Sequence, residues 1–160
     1  MKEITFQTNL KVFSNLDELP NNIKILMEEA IIARNNAYAP YSRFKVGAAL
    51  LLDNEEIVIG SNQENAAYPS GLCAERVAIF QAGSKFPGKL IRTLAITAAA
   101  ETNKTVKPIP PCGACRQAIA EYEFRQEQPI EIYFMGETGE IYLSDSLSNL
   151  LPFSFDRTSL

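Results

Sequence analysis

Strand-like and helix-like periodicity alternate along this chain, and that alternation narrows its architecture more than any other feature. Phe44 to Leu52 (FKVGAALLL) is nearly all apolar. Glu56 to Gly60 follows after the turn Asp53-Asn54, which is a hairpin pattern. Leu90 to Ala99 is another apolar β run, and Ile130 to Met135 and Glu140 to Leu143 are short strands around a Gly136–Gly139 turn. Residues 3–13 alternate, with Ile4, Phe6, Thr8, Leu10 and Val12 on one side, so they also read as a strand. Ser14 to Asp17 reads as a turn or helix start. Between these runs, Ile23, Met27, Ala30, Ile31 and Arg34 recur at helical spacing up to about Ala37, ahead of Pro40. Further helices are expected from near Cys73 to about Gly83, from about Cys112 to Tyr122, and over Ser146 to Leu150. The resulting order, β, α, β, β, α, β, α, β, β, α, predicts an α/β sandwich with helices packed on a mixed central sheet. With 160 residues, no repeat and no internal linker, residues 1–160 are expected to form a single domain.

The chain has three cysteines and no histidine. A Ser-His-Asp or Cys-His hydrolase, a His general base and a His-ligated zinc site are therefore excluded. Chemistry must fall to carboxylates, thiolates, amides, Arg and backbone. The net charge is −4, and Lys and Arg are scattered rather than gathered in a basic stripe. That fits a small ligand better than a nucleic acid. The first residues, MKEITFQTNLKVF, lack the long apolar run of a signal peptide, and no stretch approaches membrane-spanning length. The odd cysteine number argues against a secreted disulfide framework. The expectation is a cytoplasmic protein without a membrane or nucleic-acid partner.

All three cysteines sit in two short motifs, Cys73-Ala74-Glu75-Arg76 and Pro111-Cys112-Gly113-Ala114-Cys115-Arg116-Gln117. Each is expected where a helix begins, and a helix N-terminus favours thiolate over thiol. Two such ends aimed at one point make a soft-metal site. Taken alone, the C-x-x-C pair could equally be a redox pair or two buried thiols. The companion Cys73 tilts the reading towards zinc, with a water or a carboxylate completing the set. Three thiolates and one divalent cation carry a net negative charge, which a nearby cation would offset. Arg76 and Arg116 are the candidates, although a surface salt bridge is the plainer role for Arg76. Glu75, in the first helical turn, is either a dipole partner or the proton shuttle beside the metal.

These motifs resemble the cytidine deaminase family, in its small, all-cysteine, homotetrameric branch. Further landmarks are Tyr41-Ser42-Arg43-Phe44 with Val46-Gly47-Ala48-Ala49-Leu50, Asn62-Gln63-Glu64-Asn65-Ala66, Tyr68-Pro69 and Leu150-Leu151-Pro152. The resemblance runs from about Ile23 to Phe155. It implies a three-layer α/β/α sandwich that binds one zinc ion per chain. It implies hydrolytic deamination of cytidine and deoxycytidine, giving uridine or deoxyuridine and ammonia, in pyrimidine salvage. By position, Cys73, Cys112 and Cys115 match the zinc ligands, Glu75 the acid/base and Arg76 the charge-offsetting arginine. Asn62 and Glu64 match the pair that grips the ribose hydroxyl, Phe44 the aromatic on the pyrimidine, and Ala74 a backbone that places the attacking hydroxide. Ala66 and Tyr68 match positions bordering the sugar's 5′ end, and Phe155 an aromatic reaching into a neighbouring subunit's site. A homotetramer with sites shared between subunits is the implied assembly.

The sequence departs from the pattern in small ways. Lys45 stands where a proline is common, Ala67 replaces a cysteine seen in some members, and residues 1–20 extend beyond the usual start, read as an added edge strand. Three other readings are weaker. A deaminase of the blasticidin S type would need a modified sugar, whereas Asn62, Glu64, Asn65 and Tyr68-Pro69 favour ribose. A polynucleotide deaminase fits poorly with an acidic chain. A structural zinc module would need a fourth protein ligand, and three cysteines beside a Glu speak against it.

Overall fold

The computed structural model describes residues 1–160. Its strands are β1 (Lys11–Phe13), β2 (Phe44–Leu52), β3 (Ile57–Ser61), β4 (Ile91–Ala100), β5 (Glu131–Met135) and β6 (Ile141–Ser144). Its helices are α1 (Asn21–Asn35), α2 (Ala74–Lys85) and α3 (Gly113–Gln126). The strands form one six-stranded sheet in the order β1-β6-β5-β4-β2-β3. Only β4 and β5 run parallel, and α3 supplies the crossover between them.

Side chains alternate across a strand, so β2 feeds both faces of the sheet. Ala48, Leu50 and Leu52 join a core with Ala74, Ala78 and Ile79 of α2 and Ile119 and Ala120 of α3. Ala49 and Leu51 join a second core with Ile23, Leu26, Met27 and Ala30 of α1. The sheet is thus covered on both faces, giving the three-layer α/β/α sandwich. Burial of Ile23, Leu26 and Met27 contributes about 1.5–3 kcal/mol each, well above the few tenths by which helix propensities differ. Packing rather than propensity therefore holds α1 in place.

Glycines set how closely the helices approach. A Cβ on Gly47 would run into the Ala30 carbonyl and Arg34 backbone of α1. A Cβ on Gly60 would lie 2.5 Å from the Ala74 carbonyl and 2.6 Å from the Ala78 nitrogen. The absent side chain at Gly60 lets the first turn of α2 rest directly on β3.

The expected elements are present with shifted ends. The N-terminal alternation yields only the three residues of β1, paired antiparallel to β6, and residues 1–10 carry no regular structure. α3 runs to Gln126, beyond the expected end at Tyr122, and stops where Glu127 turns left-handed at φ 54°. The segments after Ser14 and Ser146 are short 3-10 turns, Leu16–Glu18 and Leu147–Asn149.

Candidate metal centre and substrate cavity

Cys73 and Cys112 each occupy the cap position just before a helix, in extended conformation (φ −72°, ψ 155° and φ −67°, ψ 167°). Neither side chain caps its own helix, so both sulfurs are free to point elsewhere. Cys115 follows in the first turn of α3 and is buried. The three sulfurs lie within 4.8 Å of one another. Cys73 Sγ is 3.8 Å from Cys112 Sγ, and Cys112 Sγ is 3.5 Å from Cys115 Sγ. Tetrahedral zinc with Zn–S near 2.3 Å separates its sulfurs by about 3.8 Å, so the set fits the ion.

Electrostatics point the same way. The neighbouring Cys115 thiol, Arg76 and the Cys112 thiol bring Cys73 down to about 5 against the effect of burial. Cys115 is correspondingly pushed up by the neighbouring Cys73 and by burial, with the charge of Glu75 adding to this. The sulfurs thus compete for protons that a soft divalent cation would displace. Arg76 Nη2 lies 4.0 Å from Cys73 Sγ, and its buried Nε has no protein partner. Arg116 bonds elsewhere. Its Nε donates to the Pro111 carbonyl at 2.8 Å and its Nη1 to the Leu150 carbonyl at 2.7 Å. Of the two candidates for offsetting thiolate charge, Arg76 is the one at a sulfur, while the Arg116 guanidinium bonds two backbone oxygens.

Glu75 is only 4% exposed. Burial pushes its carboxyl above the ordinary value, with the Cys73 charge adding to the effect. Its own N–H and the Cys115 thiol act in the opposite direction. A carboxyl raised by burial takes up a proton more readily than an exposed one, which suits a group that passes protons on.

Glu75, Cys73, Cys112 and Arg76 line a cavity of about 680 Å³. Phe44, Asn62, Glu64 and Tyr68 line it too, so most of the expected substrate residues meet there. The Asn62 amide accepts from the Val46 N–H at 2.7 Å and donates to the Phe44 carbonyl at 2.9 Å. It fixes the start of β2 and keeps one acceptor and one donor site in reserve. Glu64 Oε2 accepts from the N–H groups of Tyr41 at 2.9 Å and Ser42 at 3.2 Å. The Ser42 hydroxyl and these two N–H groups hold its carboxyl below the ordinary value. Glu64 is thus a carboxylate at neutral pH, with Oε1 available for a hydroxyl.

Ala66, Ala74 and Phe155 are not among the cavity-lining residues. Ala74 is buried at the start of α2, Ala66 is exposed, and Phe155 is 61% exposed, with its carbonyl held by Gln117 Nε2 at 2.7 Å. Leu72, Ile109 and Pro110 line the cavity without having been singled out from the sequence. The proline-rich run Pro108-Ile109-Pro110-Pro111 ahead of Cys112 was the available signal for the last two.

A zinc-dependent deaminase centre is the class this fold and this site define, and comparison with known proteins is consistent with it. Residues 20–128 match the model of the cytidine and deoxycytidylate deaminase zinc-binding region. The cytidine deaminase of Halalkalibacterium halodurans is 42% identical over 132 residues, covering 82% of this chain and 92% of that protein. That of Sporosarcina psychrophila is 39% identical over 87% of this chain and 95% of its own length. The crystal structure of cytidine deaminase from Burkholderia pseudomallei superposes with a TM-score of 0.71 at 38% identity, covering 82% of this chain and 97% of that one. The chain belongs to the cytidine and deoxycytidylate deaminase zinc-binding family.

Proposed function

We propose that this protein hydrolyses the 4-amino group of cytidine and deoxycytidine, releasing uridine or deoxyuridine and ammonia, and so serves pyrimidine salvage. The observation that carries this reading is the cluster of three cysteine sulfurs, two of them on the wall of a cavity that the buried Glu75 also lines and the third, Cys115, buried behind them. Cys73, Cys112 and Cys115 would hold the zinc ion. Bound zinc supplies a Lewis acid that makes water acidic enough to react near neutral pH. Glu75 then moves the protons: its carboxylate takes one from the attacking water and delivers it to N3 of the ring, then takes the remaining one from the new hydroxyl on C4 and passes it to the departing amine. The Ala74 backbone, in the same helical turn, helps orient the attacking group. Arg76 offsets the charge on Cys73.

On the substrate side, Phe44 packs against the pyrimidine. Asn62 and Glu64 grip the sugar hydroxyl through the amide sites and carboxylate oxygen left in reserve. Ala66 and Tyr68 border the 5′ end. Arg76 is the only cation among the lining residues and it stands at a sulfur, while Glu64 and Glu75 bring two carboxylates. That balance supports a neutral nucleoside over a nucleotide bearing phosphate. Phe155 reaches a neighbouring subunit's cavity in a homotetramer, which explains its exposure in a single chain. Residues 1–160 act as one domain, with residues 1–20 as an extension. No helix is long and apolar enough to cross a membrane, and the cytoplasm is the proposed location.

The test is the fall in ultraviolet absorbance when zinc-loaded protein meets cytidine, deoxycytidine or deoxycytidylate. Turnover of both nucleosides with far slower use of the nucleotide is expected. No turnover of cytidine would sink the reading, and sedimentation as a monomer at working concentration would remove the role given to Phe155.

A further inference from the structure

Arg116 follows Cys115 directly, yet its side chain grips the peptide that leads into Cys112. Its backbone N–H donates to the Cys112 carbonyl at 2.9 Å, and its side-chain Nε donates to the Pro111 carbonyl at 2.8 Å. Two successive carbonyls on either side of the Cys112 nitrogen are thus held by one residue. Pro111 is buried and the backbone bond is an ordinary helical one, so the side-chain bond is what adds a polar tie on the exposed side of the turn. Pro111 has no N–H to donate, Cys112 makes no side-chain cap bond, and Cys112, Gly113 and Ala114 are exposed. A Cβ on Gly113 would meet nothing within 4 Å. The other arm of the guanidinium, Nη1, reaches the Leu150 carbonyl at 2.7 Å. That anchor is firm. Leu147, one turn earlier, is 2% exposed in the core, and its N–H is bound by Glu123 Oε2 of α3 at 3.0 Å.

We propose that Arg116 is a positioning residue for Cys112. It ties the Pro111–Cys112 peptide to the chain end at Leu150 and thereby keeps Cys112 Sγ facing the other two sulfurs. The planar fork suits two carbonyls in different directions, and a lysine ammonium on a flexible stem cannot hold both in one geometry. The expected consequence is retention of the metal, since Cys112 is the exposed member of the set. The inference rests on the reading of the three cysteines as a zinc site.

The experiment measures zinc release from the loaded protein into a metallochromic chelator, alongside the thermal midpoint. Arg116→Gln is expected to release zinc about 10- to 100-fold faster than wild type, the usual cost of losing a group that orients a ligand. Arg116→Lys is expected to fall between the two. Glu123→Gln is the control. It loosens the same C-terminal segment through the Ile130, Ser146 and Leu147 contacts but does not touch Pro111. It is expected to lower the thermal midpoint and to speed zinc release less than Arg116→Gln does, because the bond from Arg116 Nε to the Pro111 carbonyl remains. Equal release rates in Arg116→Gln and Glu123→Gln would overturn the proposal, as would release from both Arg116 variants at the wild-type rate. A wild-type protein that takes up no zinc would instead overturn the metal reading itself, and the positioning role with it.

Discussion

The N-terminal ends of α2 and α3 present the same backbone shape by different means. Each is preceded by a cysteine in extended conformation that leaves its sulfur free. At α2 the end is packed. Ala74 and Glu75 are buried, and the helix rests on β3 where Gly60 leaves no side chain between them. At α3 the end is open, with Cys112, Gly113 and Ala114 exposed and held by hydrogen bonds from Arg116. One ligand position is therefore set by shape and the other by polar ties. Shape tolerates no added atoms. Polar ties tolerate added atoms but not the loss of a donor.

Substitutions can break or sharpen that contrast. The second helical residue is a buried carboxylate in α2, Glu75, and an exposed methyl in α3, Ala114. Glu75→Gln is expected to cut turnover by about 10²- to 10⁴-fold, while Ala114→Ser leaves it near wild type. Measured cytidine turnover per bound zinc checks this, and a fully active Glu75→Gln would remove Glu75 from the chemistry. The next effect is on stability. Gly60→Ala is expected to cost about 1–3 kcal/mol in urea unfolding, because a methyl would meet the Ala74 carbonyl and Ala78 nitrogen and push α2 outward. Gly113→Ala, where a Cβ meets nothing, is expected to change stability by less than about 0.5 kcal/mol. Equal costs at the two glycines would erase the distinction between a packed and an open end. The smallest effect lies farther out. Phe6 stacks edge-on against Phe153 with ring centroids 4.4 Å apart, on the C-terminal segment that Arg116 holds. Phe6→Ala is expected to cost about 0.5–1.5 kcal/mol with little change in kcat. A larger loss of activity than of stability would extend the polar support of α3 out to the N-terminal arm.

The same contrast explains what could be read from the sequence. The packed parts are legible: the apolar run Phe44–Leu52 coincides with β2, and the expected start of α2 near Cys73 lies one residue from Ala74. Apolar pattern and burial are two views of one quantity there. The residues 3–13 misled because alternation marks only a capacity to pair. β6 offers Ile141–Ser144, and just three residues of the arm find partners along it. The end of α3 was read short because no Gly or Pro marks it, and the chain stops at Glu127 by a left-handed turn that the residue type does not advertise. Arg116 could not be assigned from its position beside Cys115. Its partners, Pro111 and Leu150, are brought together only by the crossover from β4 to β5 and the return of the chain end.

β1 bears on how this protein behaves when crowded. A sheet edge with free N–H and C=O groups is a template for pairing with another chain, and long flat apolar edges aggregate. Without β1 that edge would be β6, whose Ile141 and Leu143 belong to the core. β1 covers it with three residues and ends the sheet on Lys11, tied to Asp145 at 2.9 Å. A strand too short to recruit another, with a charge at its border, closes the sheet on that side and favours solubility during folding.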